Sequence, residues 1–342
     1  MPQNSSSTAQ KPRTRIVDVA REAGVSAQTV SNVLNGRPGF ADATRERVLE
    51  AVERTGYIPD QAGRHLRTGQ SRRVAFSMTA QDLDPRNPFS LTFLQAVMQT
   101  AAQLNRRVLV YTHEAGADDA FQADAIGRET DGFILANSPP GDHRVAILED
   151  LGIPYSLMGR TLPDQSQAWV DIDNADAIGQ AVEHVVGRGA RRIAYADYHS
   201  DAHWSSERLR GTREALARHG LTLREDWIVK GDIAEIELRL TQVLSGQDRP
   251  DALITASDSI GILAVNIGHA LGIHVGPELA ITGFDGGVLA TTVIPSLTTV
   301  EIPVAEIADR VLRRLIAQID GTAFNPRQGE IVATRLVRGG SA

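Results

Sequence analysis

Ile16–Gly36 reads IVDVAREAGVSAQTVSNVLNG, and this stretch decides the fold of the first part of the chain. Apolar residues recur in it at helical spacing, which predicts two short helices. The inward face of the first is expected to carry Val17, Val19, Ala20 and Ala23, and that of the second Val30, Val33 and Leu34. Gly24 is suited to end the first helix, and Ser26 is a good N-cap for the second. Two helices joined by so tight a turn have the layout of a helix-turn-helix.

The sequence after this stretch predicts one more helix and then an α/β body. The third helix carries Val48, Leu49 and Val52 and ends near Gly56. Short apolar runs that predict strands follow at Val74–Met78, Val108–Thr112, Gly132–Leu135, Ile193–Ala196, Ala252–Thr255 and Leu279–Thr282. Amphipathic segments lie between most of them, a rhythm typical of parallel sheets with helices on both faces. Residues 74–342 are too many for one such sheet, so we expect two lobes with a ligand cleft between them.

Composition divides the chain into a basic part and an acidic part. Residues 1–73 carry 12 Lys and Arg against 7 Asp and Glu, whereas residues 74–342 carry 23 against 35, for a net charge of −7 over 342 residues. This asymmetry suggests a polyanionic partner for the basic part alone. The chain has no cysteine, which excludes disulfides and thiolate metal sites. Met1–Arg15 lacks the apolar core of a signal peptide, and no run is apolar enough to cross a membrane, so we expect a cytoplasmic protein.

Several segments of the chain together resemble one protein family. Ile16–Gly36 is similar to the DNA-binding head of the lactose/galactose repressor (LacI/GalR) family, and TRERVLEAVERTGYIPDQAGRHLRTGQS at 44–71 is similar to that family's third helix, hinge helix and linker. The body's landmarks follow in order: ERLRGTREAL at 207–216, ASDSIGILAV at 256–265, ITGFDGG at 281–287 and IPSLTTVEIPV at 294–304. The resemblance covers nearly the whole chain from Thr14 onward.

The resemblance implies a fold and a function. The fold is an all-α helix-turn-helix head plus hinge helix, joined to an α/β two-lobed periplasmic-binding-protein-like body with parallel sheets. The function is that of a homodimeric transcription regulator, a repressor by the family's usual pattern, that binds double-stranded DNA at a pseudo-palindromic operator. Its activity is expected to respond to a small-molecule effector, and a sugar is the first expectation. No cofactor is implied.

Domain boundaries follow from composition and from the resemblance. Residues 1–13 are expected to be a disordered tail, 14–59 the helix-turn-helix domain, 60–73 the hinge helix and linker, and 74–342 the effector-binding and dimerisation domain. Within that domain we expect one lobe from 74–172 plus 300–328, and another from 173–299 plus 329–342.

The candidate DNA-binding residues lie in the second helix and in the hinge. Gln28 is suited to a bidentate pair with adenine, Ala27 to a methyl contact with thymine, and Asn32 is a second candidate reader. Contacts to phosphate are expected from Ser26, Thr29, Ser31 and Asn35. In the hinge, Leu66 matches the family's leucine that wedges between base steps, with Arg64 beside it. Gly63 stands where the family usually has a better helix former, so we expect this hinge to fold only on DNA.

The candidate effector residues are assigned by the resemblance. Arg208 matches the family's effector-binding arginine and Asp285 its cleft aspartate; together they can donate to and accept from neighbouring hydroxyl groups. Ser257 occupies a position often held by Asn. Further candidates map near the cleft: Phe89, Trp169, Asp173 and Trp204. Ile233 lies where purine-responsive relatives have an aromatic ring, which favours a sugar over a purine.

Other chemistry finds little support in the sequence. Asp171–Asn174 resembles the start of a calcium loop but lacks its glycine and glutamate, and no zinc pair, phosphate-binding loop or nucleophile elbow occurs. We therefore expect no metal and no catalytic residue. Two alternatives remain: a regulator of the same class with a nucleoside or other non-sugar effector, and a sugar-binding receptor without a DNA function.

Overall fold

The computed structural model describes residues 14–34, 37–57, 70–79, 81–114, 116–127, 129–162, 168–322 and 328–342. The chain forms two compact units, Met1–Ser71 and Arg72–Ala342, called the head and the body below. The tail expected at residues 1–13 lies outside the described residues, and so does the hinge helix apart from the linker residues that follow it. Gly63 lies outside them as well, so the expectation for the hinge stays a prediction.

The head consists of three helices with the expected caps. They are α1 (Ile16–Ala23), α2 (Ala27–Leu34) and α3 (Asp42–Thr55). Gly24 caps α1 with a φ of 64°, in the left-handed region that favours glycine. At the start of α2, the Ser26 hydroxyl oxygen accepts a hydrogen bond from the backbone N–H of Thr29 at 3.1 Å. Both predicted caps are thus confirmed, and they hold the tight turn between α1 and α2.

The core of the head differs from expectation at one position. Its buried residues are Val19, Ala20, Ala23, Val30, Val33, Val48 and Ala51. Val17, which was expected to face inward, keeps 49% of its surface exposed, and Leu49 of α3 keeps 47% exposed. The helical repeat explains the error, because Val19, Ala20 and Ala23 define one face of α1 and Val17 lies off that face. Leu49 is likewise turned away from the stripe of α3 that carries Val48.

The first sheet of the body has the strand order β11-β5-β4-β3-β1-β2, and all its pairs are parallel. Its strands are Arg73–Thr79 (β1), Arg107–His113 (β2), Phe133–Leu135 (β3), Tyr155–Met158 (β4), Trp169–Ile172 (β5) and Glu330–Val332 (β11). The helices that accompany it are Phe89–Gln103 (α4), Asp118–Ile126 (α5), His143–Asp150 (α6) and Val304–Ile319 (α11), with a 3-10 turn at Gln81–Leu83. Phe76 belongs to one core cluster and Ala75 to another, so successive residues of β1 point to opposite faces.

The second sheet has the order β12-β10-β9-β8-β6-β7, parallel except where β12 pairs antiparallel with β10. Its strands are Ile193–Tyr198 (β6), Ile228–Gly231 (β7), Ala252–Thr255 (β8), Ala280–Asp285 (β9), Thr298–Glu301 (β10) and Arg335–Val337 (β12). Its helices are Asn174–Gly187 (α7), His203–Arg218 (α8), Ile233–Ser245 (α9) and Asp258–Ala270 (α10), with 3-10 turns at Glu225–Trp227 and Val288–Thr291.

The chain passes between the two sheets after Ile172, after Glu301 and between Val332 and Arg335. The expected two-lobed architecture of parallel sheets is confirmed, and the six predicted strand runs correspond to β1, β2, β3, β6, β8 and β9. The boundary expected between 328 and 329 differs from the structure, because Glu330–Val332 pairs with Val170–Ile172 in the first sheet. Likewise β10, which extends to Glu301, belongs to the second sheet.

Candidate functional site

The first turn of α2 is the candidate DNA-reading surface of the head. Gln28 is exposed, and its Nε2 donates to Oδ1 of Asn32 at 3.1 Å, so the two predicted base readers lie side by side. The hydroxyls of Ser26 and Thr29 are 2.9 Å apart at the start of the helix. Ala27 is half-buried against the head core, which leaves a small apolar surface for a methyl contact. Ser31 is half-buried, whereas Asn35, Arg64 and Leu66 lie outside the described residues.

The candidate effector site is a cleft in the body at the carboxyl ends of the strands of both sheets. The space free of protein atoms between its walls, including the part open to solvent, measures about 880 Å³. The first sheet contributes residues that follow β1, β3, β4 and β5, and the second contributes residues that end or follow β6, β8, β9 and β10. This is where ligands bind in open α/β sheets.

Arg208 is the most firmly held polar side chain of the cleft. It projects from α8, is 7% exposed, and donates through Nε to Oδ1 of Asn174 at 2.9 Å and through Nη1 to the carbonyl of Ala256 at 2.7 Å. Its guanidinium carbon lies 3.8 Å from the ring centre of Phe284 and 4.7 Å from that of Trp204. Since a guanidinium has five N–H groups, three remain for a ligand once these two bonds are made. Burial lowers the pKa of Arg208, and the nearby carboxylates oppose that effect.

Two carboxyl groups lie close together on the second sheet's side. Asp285 ends β9 with a φ of 118°, a strained value for a non-glycine residue, and lines the cleft. Asp258, the first residue of α10, is buried and accepts the backbone N–H of Gly287 at 2.7 Å. Burial raises the pKa of Asp258 to about 6. Burial and the neighbouring Asp258 raise the pKa of Asp285 well above its ordinary value, and Arg208 acts in the opposite direction.

A chain of hydrogen bonds runs along the cleft floor across the first crossing between the lobes. Oδ2 of Asp171 accepts from Nε of Arg160 at 3.0 Å, and Oδ1 of Asp171 accepts from Nδ2 of Asn174 at 3.3 Å. The amide oxygen of Asn174 accepts from Arg208, as described above. Arg160 and Asp171 belong to the first lobe, while Asn174 and Arg208 belong to the second. Of these bonds, only the one between Asp171 and Asn174 therefore joins the two lobes, and the other two bonds attach it to a cleft residue on each side.

The comparisons with known proteins agree with this geometry. Residues 15–60 match the model of bacterial regulatory proteins of the lacI family, and residues 182–342 match a periplasmic binding protein-like domain. The HTH-type transcriptional regulator CelR of Thermobifida fusca is 30% identical over 314 residues, which cover 90% of this chain and 92% of that protein. The chain belongs to the LacI family. It is therefore a DNA-binding transcription regulator, as the sequence predicts.

Other relatives of this LacI-family chain extend the comparison. Catabolite control protein A of Priestia megaterium is 28% identical over 306 residues, or 88% of this chain and 91% of the relative. Among solved structures, a CelR–cellobiose complex matches with a TM-score of 0.74 and 28% identity, covering 96% of this chain and 100% of that one. A lac repressor dimer bound to operator and an anti-inducer shares the fold with a TM-score of 0.84 at 22% identity, covering 96% and 99%.

The structure brings five of the seven predicted effector residues together in the cleft: Phe89, Trp204, Arg208, Ser257 and Asp285. Trp169 and Asp173 do not line it. The Trp169 side chain packs against the core cluster that contains Ala75 and Phe133, and it lies under Arg160. The carboxylate of Asp173 caps α7 by accepting the backbone N–H of Asp176 at 3.0 Å. Ser257 likewise caps α10, at 3.3 Å from the N–H of Ile260, so its hydroxyl is partly committed.

Several polar residues of the cleft were not predicted from the sequence. Asp171 and Asn174 lie in the same short motif as Trp169 and Asp173, and Tyr198 ends β6 with its buried hydroxyl at the cleft, near Ser257 and Ser259. On the first lobe, Asp82 accepts hydrogen bonds from Ser90 and Asn137, both of which line the cleft. Alternation along β5 could not have identified Asp171, because Trp169 and Asp171 lie two residues apart and alternation assigns them to the same face. Asp171 differs in lying nearer the carboxyl end of the strand, at the cleft.

Proposed function

We propose that this LacI-family regulator is a homodimeric repressor of a carbohydrate-utilisation operon, released from its operator by a sugar or sugar derivative bound in the cleft. The observation that carries the effector half is the pairing of Arg208, a clamped donor with spare N–H groups, with the Asp285 carboxyl group on the cleft wall. Such a pair can donate to and accept from neighbouring hydroxyls of one polyol. We propose that the protein has no catalytic activity and that it acts in the cytoplasm, where the chromosome lies.

Aromatic side chains on both lobes support a sugar ligand. Phe89 begins α4 on the first lobe and Trp204 lies on α8 of the second, and both rings are half-buried at the cleft. Sugar rings present apolar CH faces, which pack against aromatic rings while their hydroxyls reach polar groups. The CelR–cellobiose complex adds support, since there a relative of this chain is combined with a sugar.

Calorimetry with a panel of neutral mono- and disaccharides tests the effector half directly. We expect one of them to bind and the same sugar to weaken operator binding in a gel-shift assay. A nucleoside is the alternative effector, and several relatives, 26–28% identical, are transcriptional repressors named PurR. Adenosine, guanosine, hypoxanthine and guanine therefore belong in the panel, and binding of one of these without any sugar contradicts the sugar proposal.

For DNA recognition we propose that Gln28 and Asn32 read bases and that Ser26, Thr29, Ser31 and Asn35 contact phosphates. A palindromic operator selected from random DNA provides the substrate. Gln28→Ala is expected to lose about 1–3 kcal/mol of discrimination at one base pair in each half-site, since a bidentate contact carries that much. Equal weakening on operator and random DNA would mean that Gln28 touches only the backbone.

We further propose that Leu66, with Arg64 beside it, inserts into the minor groove. Unchanged DNA bending by the Leu66→Ala variant would contradict this.

Dimerisation is supported by apolar residues that the isolated chain leaves in solvent. Val288 and Ile294, on the segment after β9, keep 80% and 81% of their surface exposed, and Leu289 between them is half-exposed. Exposed apolar clusters of this kind commonly form interfaces. We expect the wild type to be a dimer by light scattering at micromolar concentration and Ile294→Glu to shift it towards monomer. A monomeric wild type contradicts the proposal.

A further inference from the structure

The acidic and basic side chains that line the cleft are equal in number. Among the described residues that line it, four are arginine or aspartate: Arg160, Asp171, Arg208 and Asp285. The two arginines therefore do not outnumber the carboxyl groups, and Arg160 is already in an ion pair with Asp171. A site for an anionic ligand normally presents an excess of cationic or backbone N–H groups.

Both cations are held by acceptors of the protein itself. Arg160 donates its backbone N–H and its Nε to Oδ2 of Asp171, at 3.1 and 3.0 Å. Arg208 is fixed by Asn174 and by the carbonyl of Ala256 between two aromatic rings. Neither guanidinium can turn its Nε edge to a ligand, so the bidentate fork that recognises phosphate or carboxylate is only partly available. What they offer is individual N–H groups, which suit hydroxyl oxygens.

Further carboxylates stand directly behind the lining. Asp82 is hydrogen-bonded to the cleft residues Ser90 and Asn137 on the first lobe. On the second lobe, Asp258 adjoins Asp285, and fully buried Asp197 contributes to the field at Arg208. Burial in the first place, and the neighbouring Asp258 in addition, raise the pKa of Asp285, so a further negative charge at this wall is opposed by both. A third anion brought in by a ligand meets the same opposition.

We propose that the cleft takes an uncharged sugar and discriminates against the phosphorylated and acidic derivatives of that same sugar. This inference rests on the proposed sugar-binding function and narrows it to one charge class. It follows that the regulator senses the sugar before any phosphoryl-transfer reaction has acted on it.

Calorimetry on the full-length protein tests the proposal. Glucose, cellobiose, maltose, sucrose and trehalose are titrated first; the sugar that binds is then compared with its 6-phosphate and its uronic acid. We expect each anionic derivative to bind at least tenfold more weakly, and the Kd of the neutral sugar to be unchanged between low and high NaCl. An anionic derivative that binds as tightly as the neutral sugar, or more tightly, overturns the charge inference and leaves sugar binding intact. If no sugar of any charge binds, the proposed function itself fails, and this inference with it.

A pair of variants tests whether cleft carboxylates cause the discrimination. Asp171→Asn keeps the shape of the side chain but removes the partner charge of Arg160, so the ratio of the Kd of the 6-phosphate to that of the neutral sugar should fall by several fold. Asp309→Asn removes the same charge from the exposed face of α11, outside the cleft, and should leave that ratio unchanged. Equal ratios in the wild type and both variants would show that the discrimination does not come from the cleft's charge.

Discussion

Gly211 on α8 lies where that helix crosses the start of α7, and the sharpest prediction concerns this contact. A Cβ built on Gly211 lies 2.4 Å from the carbonyl oxygen and 2.5 Å from Cα of Ala175. Ordinary contacts begin near 3.4 Å, so Gly211→Ala must open the two helices by about 1 Å. The clashing atoms are backbone, so no side-chain rotation relieves the overlap.

The consequence of Gly211→Ala extends to the cleft, because Arg208 lies one turn earlier on α8 and Asn174 begins α7. Their hydrogen bond is 2.9 Å long, and a displacement of about 1 Å takes it beyond hydrogen-bonding distance. Overpacking costs about 1–3 kcal/mol in comparable cores, so we expect the free energy of unfolding to fall by about that much. We also expect the affinity for the neutral sugar to fall about tenfold or more, since about 1.4 kcal/mol is a factor of ten.

Urea unfolding followed by tryptophan fluorescence is the assay for Gly211→Ala, since all three tryptophans lie in the body. The matched control is Gly179→Ala on α7, where an added Cβ has its nearest neighbour at an ordinary 3.6 Å. That control should stabilise the body slightly, because alanine is favoured over glycine within a helix by about 1 kcal/mol. If both variants change stability in the same direction and by the same amount, the close approach of α7 and α8 does not restrict residue 211. If only stability changes and sugar affinity does not, Arg208 is positioned independently of this helix pair.

Three further predictions concern a buried cation, a buried carboxyl group and a helix cap. Arg208→Met should abolish the effector response and lower the free energy of unfolding by about 2–4 kcal/mol, since two buried acceptors lose their donor. The control is Arg213→Met, which removes an exposed ion pair on the same helix and should change the free energy of unfolding by less than about 1 kcal/mol. The pKa of Asp258 is raised to about 6, so the folded state binds its proton more tightly than the unfolded state does, and Asp258 alone should lower the free energy of unfolding by at most about 3 kcal/mol as the pH rises from 4 to 6. Asp258→Asn should remove that contribution and make the profile of stability against pH less steep in this range, and identical profiles in the wild type and the variant contradict it. Gly24→Ala places alanine at a φ of 64° at a cost of about 1 kcal/mol, so amides of α1 and α2 should exchange about fivefold faster by hydrogen-exchange mass spectrometry, and unchanged exchange contradicts the strain.

The sequence is most informative where one local rule determines the structure. Gly24 and Ser26 mark the turn of the head because a left-handed residue and an N-cap each have few alternatives. Buried strands such as β1 and β8 are recognisable as continuous apolar runs. The three-residue strands β11 and β12 carry no such signal. The placement of β12 depends on pairing with residues more than thirty positions away, and that of β11 on pairing with residues more than a hundred positions away. Their assignment to different lobes therefore needs the structure.

The motif WVDIDN at 169–174 shows the same limit within the cleft. Sequence reasoning selects Trp169 and Asp173 from it, whereas the structure places Asp171 and Asn174 at the cleft. Alternation along a strand assigns Trp169 and Asp171 to the same face, so the period of the motif cannot tell which of the two reaches the cleft. Asp173 is taken by the cap of α7, a role that only the position of the helix start decides.

Hydrogen bonds run from Asp171 through Asn174 to Arg208. They connect the arginine that is expected to donate to the ligand with the segment where the chain crosses between the lobes. An apolar contact between the lobes would tolerate a slide of a few tenths of an ångström, whereas a buried hydrogen bond is lost over about that range and leaves its partners unsatisfied. A ligand that draws on the remaining N–H groups of Arg208 while contacting the first lobe therefore favours one relative position of the lobes over others. A ligand shifts such an equilibrium only by its difference in affinity for the two positions. In this cleft that difference in affinity depends on Arg208, which is bonded to Asn174 at the crossing. Asn174 is bonded to both lobes, so it is the residue through which effector binding and the relative position of the lobes are coupled.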